Sequence, residues 1–472
     1  MIFTSDLYVL FLIAAFALHW LLPERARKPF LIAASYVFYA SWSWRYLFLL
    51  LGVSLFNWAY ARWAVARVQK SGVLLLGIAV NVGVLAYFKY AGFFLDNVRI
   101  VAGALGVPWA LPVLHVTLPL GISFFTFQGV AYLVDVASGD PPLPRLMDFL
   151  LFKGFWPQLI AGPIVRISEI RDQIETRRRV TSADLAAGAR RILIGFNKKL
   201  VLADSLSGAV ESVFAAGAAP TGLDSLLATV AFGFQIYFDF SAYSDIAIGS
   251  ARLFGFTLPE NFNWPYVAAS PQEFWNRWHM TLSRWIRDYV FTPMSFALRR
   301  RPRLEDLALL GAMTICGLWH GANWTFVLWG VWHGVLLVAN RTFMKRWWTP
   351  GADAGPARRA AQVGSTFVLV SVGWVLFRAR SVRQAAAMLG SIATLRGGFH
   401  LAALAPTSAL LIVAVVAGFA LAAALRGRIA AAAARLARAP AWLPMRPLAD
   451  VMLIHHANVF GGSIKPFVYF QF

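Results

Sequence analysis

Cys316-Gly317-Leu318-Trp319-His320-Gly321-Ala322-Asn323-Trp324 places a histidine inside a run, Leu307 to Ala339, that is otherwise nearly all apolar. An ionisable side chain at membrane depth costs roughly 2.5–3.5 kcal/mol or more when charged, so it faces a cavity or a partner and marks function by default. Burial disfavours the imidazolium form, and a neutral imidazole can accept a proton. It can therefore activate a hydroxyl towards an acyl carbonyl. Alone, His320 reads equally as a satisfied core histidine, so its context has to decide.

Other chemistry is sparse. The chain lacks a G-x-x-x-x-G-K-[ST] phosphate loop, a G-x-S-x-G elbow and an H-E-x-x-H metal helix. His455-His456 is adjacent rather than at i, i+4, and Cys316 is the single cysteine, so no metal site and no internal disulfide is expected. On a continuous helix His333 would lie about 140° around from His320, which argues against a shared ligand site. Asp239 and Asp245 sit in the apolar segment Gln235 to Asp245 and would point about 120° apart on a helix. Each is expected to bond a neighbouring helix or a basic group, though either could orient an imidazole.

Four further stretches carry polar groups. Pro119 to Gln128 holds Ser123, Thr126 and Gln128 beside helix-breaking Pro119 and Gly121. These side chains either bind neighbouring helices or line a cavity at a broken turn. Phe155 to Pro163, with two prolines, is too short for a comfortable span and reads as re-entrant or interfacial. Glu273 to Tyr289 contains His279; as one helix it would carry an edge of Phe274, Trp278, Trp285 and Tyr289 and an Arg284–Asp288 pair. Pro259 to Tyr266 reads as a loop by its prolines and asparagines.

The elements that position these groups belong to a membrane protein. Of 472 residues 59% are hydrophobic and 14% charged, against about 25% charged in ordinary globular domains. A bilayer core of about 30 Å needs about 20 helical residues, so roughly ten to twelve membrane segments are expected, some not fully spanning. The first apolar run has no basic residue before it and reads as a retained helix rather than a signal peptide. The net charge of +21 lies in short blocks between apolar runs, which is the positive-inside pattern and not a nucleic-acid signature. Glu24 to Lys28, Arg62 to Lys70, Arg166 to Arg191 and Arg299 to Arg303 are expected on the cytoplasmic side, facing anionic lipid, with the N-terminus outside. Residues 1–472 read as one integral-membrane domain.

Pro119 to Gln128, Phe155 to Pro163, Gln235 to Asp245, Leu253 to Tyr266, Phe274 to Tyr289 and Gly317 to Trp324, in this order, resemble the bacterial branch of the membrane-bound O-acyltransferase family. The likeness is greatest to the alginate O-acetylation membrane subunits, and the aromatic end, Pro466 to Phe472, fits as well. The resemblance implies an all-α polytopic helical bundle with re-entrant segments around a transmembrane funnel or tunnel. It matches the family's central histidine to His320 and its second, in a W-H-x-x-L-S-x-W block, to His279. Met280-Thr281 stands where many relatives have Ile-Ser.

The implied activity moves acetyl from cytoplasmic acetyl-CoA, a substrate rather than a bound cofactor, to an extracytoplasmic acceptor at the bacterial inner membrane. His320 would act as general base and His279 would orient the donor or stabilise charge. Trp319, Asn323, Asp288, Gln128 and Ser123 are weaker pocket candidates. A hydrolase-like extracytoplasmic acetyltransferase partner would complete transfer to exopolysaccharide. D-alanyl or other acyl transfer to a cell-wall polymer is the alternative within the family, and glycan or lipid transport is the alternative outside it.

Overall fold

The computed structural model describes residues 3, 5–68, 70–107, 114, 116–176, 179–301, 304–344, 347, 355–438, 467 and 468. Arg177, Arg178, Arg303, Lys345, His455-His456 and all of the aromatic end but Phe467 and Val468 lie outside the described residues. Among the described residues every regular element is helical. The chain divides into two compact units, Met1–Ala189 with Ala247–Pro259, and Arg190–Ile246 with Glu260–Phe472.

Among the described residues five helices are long and apolar enough to cross a bilayer: Trp44–Val68, Ser71–Ala104, Gly222–Leu253, Pro356–Arg378 and Pro406–Arg428. The protein is thus a multi-pass membrane protein. Asp6–Leu21 and Ile122–Ala137, at 16 residues each, rise only about 24 Å and fall short of the hydrocarbon core. Burial separates the long helices into two kinds. The apolar window of Gly222–Leu253 is 83% buried by protein, whereas that of Pro406–Arg428 is only 11% buried, leaving an apolar face suited to lipid.

In the first unit, Tyr39, Leu50, Val53, Leu85, Ile122, Phe125 and Leu159 form one core cluster. Gly121 precedes the Ile122–Ala137 helix with φ of 74°, a left-handed conformation that glycine adopts without penalty. A Cβ there would stand 2.7 Å from the Leu159 carbonyl oxygen. Pro119 and Gly121 therefore start this helix instead of kinking it. Phe155 to Ile160 is fully buried, its Trp156 ring set edge-on against Phe11 and Phe254. This short segment is roofed by protein, which is how irregular backbone survives at membrane depth. Asn57 and Asn81 exchange amide hydrogen bonds of 3.0 and 2.9 Å across two helices.

In the second unit, the apolar run from Leu307 to Ala339 folds as a hairpin of Glu305–His320 and Trp324–Thr342 with a break at residues 321–323. Glycine makes the crossing. A Cβ on Gly317 would strike the Phe326 carbonyl oxygen and lie 2.9 Å from Gly330, and one on Gly330 would strike the Met313 carbonyl. Small residues at a helix crossing let the backbones meet, the usual source of packing energy between membrane helices. Gly330→Leu should therefore force the hairpin apart and lower stability by about 1–3 kcal/mol, read as earlier thermal unfolding in detergent. Gly364→Leu, at a glycine with nothing within 4 Å of its Cβ position, should leave the transition in place.

Candidate functional site

The site is built in the second unit from the hairpin end and from the segment Asn261 to Ile286. His320 closes its helix and is buried. Its ring meets Trp319, Trp329 and Phe377 edge-on at 4.8, 4.9 and 5.1 Å between centroids. Edge-to-face packing on three sides fixes the plane of the imidazole. The break at residues 321–323 means that His320 and His333 do not share the continuous helix on which their angle was reckoned. Trp329, one turn before His333 on the same helix and 4.7 Å from its ring, also meets His320 because the chain reverses and the two helices run side by side.

His279 is wholly buried and is held by backbone geometry and one asparagine. The stretch expected to be a single helix breaks into Pro271–Trp275 and Met280–Ile286, with His279 between them at φ 39°, ψ 55°. A non-glycine residue in this left-handed region is uncommon and is retained only where its surroundings hold it. What holds it is Asn261. The Asn261 main-chain carbonyl accepts the Met280 N–H at 2.9 Å. Its side-chain Oδ1 accepts from Thr281 N–H and Oγ1–H at 3.3 and 2.9 Å. The asparagine thus grips this turn through both its backbone and its side chain.

The same Oδ1 lies 3.0 Å from His279 Nδ1. An oxygen that already receives the Thr281 N–H can only accept, so Nδ1 carries the proton and Nε2 presents its lone pair. Among the described residues Nε2 has no hydrogen-bond partner. Ser244 Oγ in turn receives the Asn261 amide N–H at 3.2 Å. Trp319 joins the two histidines, its ring centroid 6.2 Å from His279 and 4.8 Å from His320.

A cavity of about 530 Å³ lies in the same unit, with Arg284, Arg287 and Arg341 along it and Met280, Met313 and Cys316 among its apolar walls. Met280 adjoins His279, and Cys316 is one turn before His320. Close by, the short Pro271–Trp275 helix is capped at Ser270 and anchored by Glu273, which bonds Arg277 and Arg359. Burial pushes the Glu273 carboxyl up, but the Ala269 N–H and the two guanidiniums hold it below its ordinary range.

The other candidates are placed differently. Asn323 caps the Trp324–Thr342 helix by accepting the Thr325 N–H at 3.0 Å, which is helix-end chemistry. Asp288 bonds Arg287, its neighbour in the chain, at 2.6 Å. Ser123 and Gln128 are buried in the first unit. Asp239 binds Lys199 at 2.7 Å and Asp245 binds Arg191 and Lys198, so each carboxylate has the basic partner the sequence led one to expect. Among the described residues no group of three or more His, Cys, Asp or Glu could hold a metal ion. Asn261 and His333 were not singled out in sequence for the site. An asparagine within a proline-rich loop and a histidine beyond a hidden chain reversal were the available signals.

Residues 112–371 match the membrane-bound O-acyltransferase family. The chain is 40% identical over 404 residues to a probable alginate O-acetylase of Pseudomonas putida, covering 83% of this chain and 80% of that protein. It is 33% identical over 436 residues to a peptidoglycan O-acetyltransferase of Helicobacter pylori, covering 84% and 80%. To a teichoic acid D-alanyltransferase of Streptococcus thermophilus it is 32% identical over 239 residues, covering 48% and 58%.

Asn261→Leu keeps the approximate volume but removes the acceptor of the buried His279 Nδ1–H and two hydrogen bonds from Thr281. Each buried group left unsatisfied costs about 1–3 kcal/mol, so the variant should unfold well before wild type in a detergent melt. A wild-type melting temperature would show that the turn does not depend on this amide.

Proposed function

Because the chain belongs to the membrane-bound O-acyltransferase family, we propose that this membrane O-acyltransferase takes acetyl from cytoplasmic acetyl-CoA and delivers it across the inner membrane for O-acetylation of an alginate-like exopolysaccharide. The observation that carries the reading is the pair of buried histidines sharing Trp319, with an arginine-bearing cavity whose walls include the neighbours of both. Arg284, Arg287 and Arg341 suit the phosphates of the coenzyme. The apolar walls suit its pantetheine arm and acetyl group.

In this mechanism the His320 imidazole takes the proton of the acceptor hydroxyl as its oxygen attacks the thioester carbonyl. The C–S bond then breaks, and the proton passes from the imidazolium to the departing thiolate, leaving an acetyl ester and free coenzyme thiol. His279, its Nδ1–H fixed on Asn261, offers Nε2 to orient the donor or the acceptor. The acceptor is a hydrolase-like acetyltransferase on the extracytoplasmic side, which completes transfer to the sugar, and the N-terminus of this chain lies on that side. D-alanyl transfer to a cell-wall polymer is the second reading; the D-alanyltransferase relative matches 48% of the chain, against 84% for the peptidoglycan O-acetyltransferase.

Transfer of labelled acetyl from acetyl-CoA in purified membranes, with the partner present, tests the reading. His320→Ala should lose roughly 10²–10⁴-fold in rate, the usual contribution of a general base, at unchanged expression. Near-full transfer would make the base assignment wrong. His279→Asn, which retains a donor for Asn261 and tolerates the left-handed backbone, should fold normally yet transfer slowly. Arg284→Gln should raise KM for acetyl-CoA about tenfold, the effect of about 1.4 kcal/mol of lost binding, with kcat within about twofold. No label from acetyl-CoA alongside a proven partner would shift the donor to another acyl carrier.

A further inference from the structure

A second cavity in the same unit, of about 550 Å³, is formed against the lipid-facing helix Pro406–Arg438. Its volume is that of a ligand pocket, about 300–1,000 Å³. One wall is a strip of Ala414, Gly418 and Ala422, spaced one turn apart, with Phe419 beside it. The Phe419 ring lies 5.3 Å from Trp264 and 5.9 Å from Tyr237, which also line the cavity. Beyond Gly418 the space is open: nothing stands within 4 Å of the position its Cβ would take.

Another part of the lining is ionic. Arg191 spans Asp245 at 3.0 Å and Glu260 at 2.5 Å, and Lys198 binds Asp245 at 2.6 Å. Two cations and two carboxylates give this cluster no net charge. Glu260 is the most open of the four, its side chain 54% exposed, and Asp245 the least.

We propose that this cavity binds one zwitterionic phospholipid of the phosphatidylethanolamine class. An acyl chain would lie on the strip from Ala414 to Ala422, which borders lipid in any case. The headgroup ammonium would donate to Glu260, while the phosphate accepts from Lys198 and Arg191. A zwitterion can exchange partners with a neutral cluster and leave no charge unpaired. A purely anionic headgroup adds a negative charge beside two carboxylates, and a choline headgroup carries no N–H to donate. Asn261 and Ser244 line the cavity too, so the bound lipid would adjoin the amide that holds His279. The proposal does not rest on acyl transfer, because its readout is bound lipid.

The experiment is native mass spectrometry of the full-length protein from nanodiscs of equimolar phosphatidylethanolamine, phosphatidylcholine and phosphatidylglycerol. Wild type should retain one phosphatidylethanolamine over either competitor by roughly fivefold or more, as when one charge-assisted hydrogen bond separates the ligands. Gly418→Leu, whose side chain enters the open space, should keep the wild-type melting temperature and lose that lipid. Glu260→Gln should abolish the preference over phosphatidylcholine. Equal retention of the three lipids, a preference for phosphatidylglycerol, or unchanged phosphatidylethanolamine retention in both variants would overturn the proposal. If Gly418→Leu failed to fold, wild-type selectivity and Glu260→Gln would still decide.

Discussion

The close approach of two helices at Gly317 and Gly330 is the constraint on which the site depends. Lipid gives apolar helices little reason to associate, so contact has to come from backbones that meet without intervening side chains. At this crossing a Cβ on either glycine would run into the opposite main chain. The consequence is felt at the hairpin end, where His320 terminates one helix and Trp329, on the other, comes to lie against it. A wider crossing would draw Trp329 away from the imidazole. Gly373 repeats the device on the next helix, with a Cβ position only 2.7 Å from His333 Nε2.

The second histidine is positioned by the opposite strategy, an irregular turn satisfied by hydrogen bonds. His279 adopts a conformation that chain sterics disfavour, and the offsetting stabilisation comes from Asn261, which bonds Met280, Thr281 and the imidazole itself. The arrangement fixes the tautomer at the same time. A helical His279 would have directed its ring according to the 3.6-residue repeat, and Nδ1 would not be tied to the Asn261 amide. Strain at this residue and the assignment of its protons are therefore one structural fact.

Much of this was legible in sequence, and the parts that were not share a cause. His320 stood out as a histidine within an apolar run, His279 only through the W-H-x-x-L-S-x-W block of the family resemblance, and Asp239 and Asp245 because carboxylates at membrane depth need cations. Apolar length marked the five helices long enough to cross a bilayer among the described residues, against the ten to twelve segments expected. What periodicity could not reveal was reversal: Gly321 to Asn323 and the turn at His279 each interrupt a run that reads as continuous, since proline is absent from both. The angle of about 140° between His333 and His320 was reckoned on that assumption. Asn261 was hidden for a different reason, because its partners lie 17 to 20 residues away along the chain and no local pattern encodes such a contact.

The aromatic setting of the histidines bears on how such a site would work. Hydrogen bonds alone orient a ring about a few vectors, whereas Trp319, Trp329 and Phe377 restrain the plane of His320 by volume as well. These rings also exclude water, which strengthens electrostatic interactions within the site. Trp329 and Phe377 further contact one another at 5.4 Å, so the cage is braced independently of the imidazole it surrounds. In the proposed role of general base, an imidazole held this way would need little reorganisation as charge develops, the kind of preorganisation on which electrostatic catalysis depends. The crossing glycines, the reversed chain and the ring cage thus act on a single coordinate, the orientation of one buried imidazole.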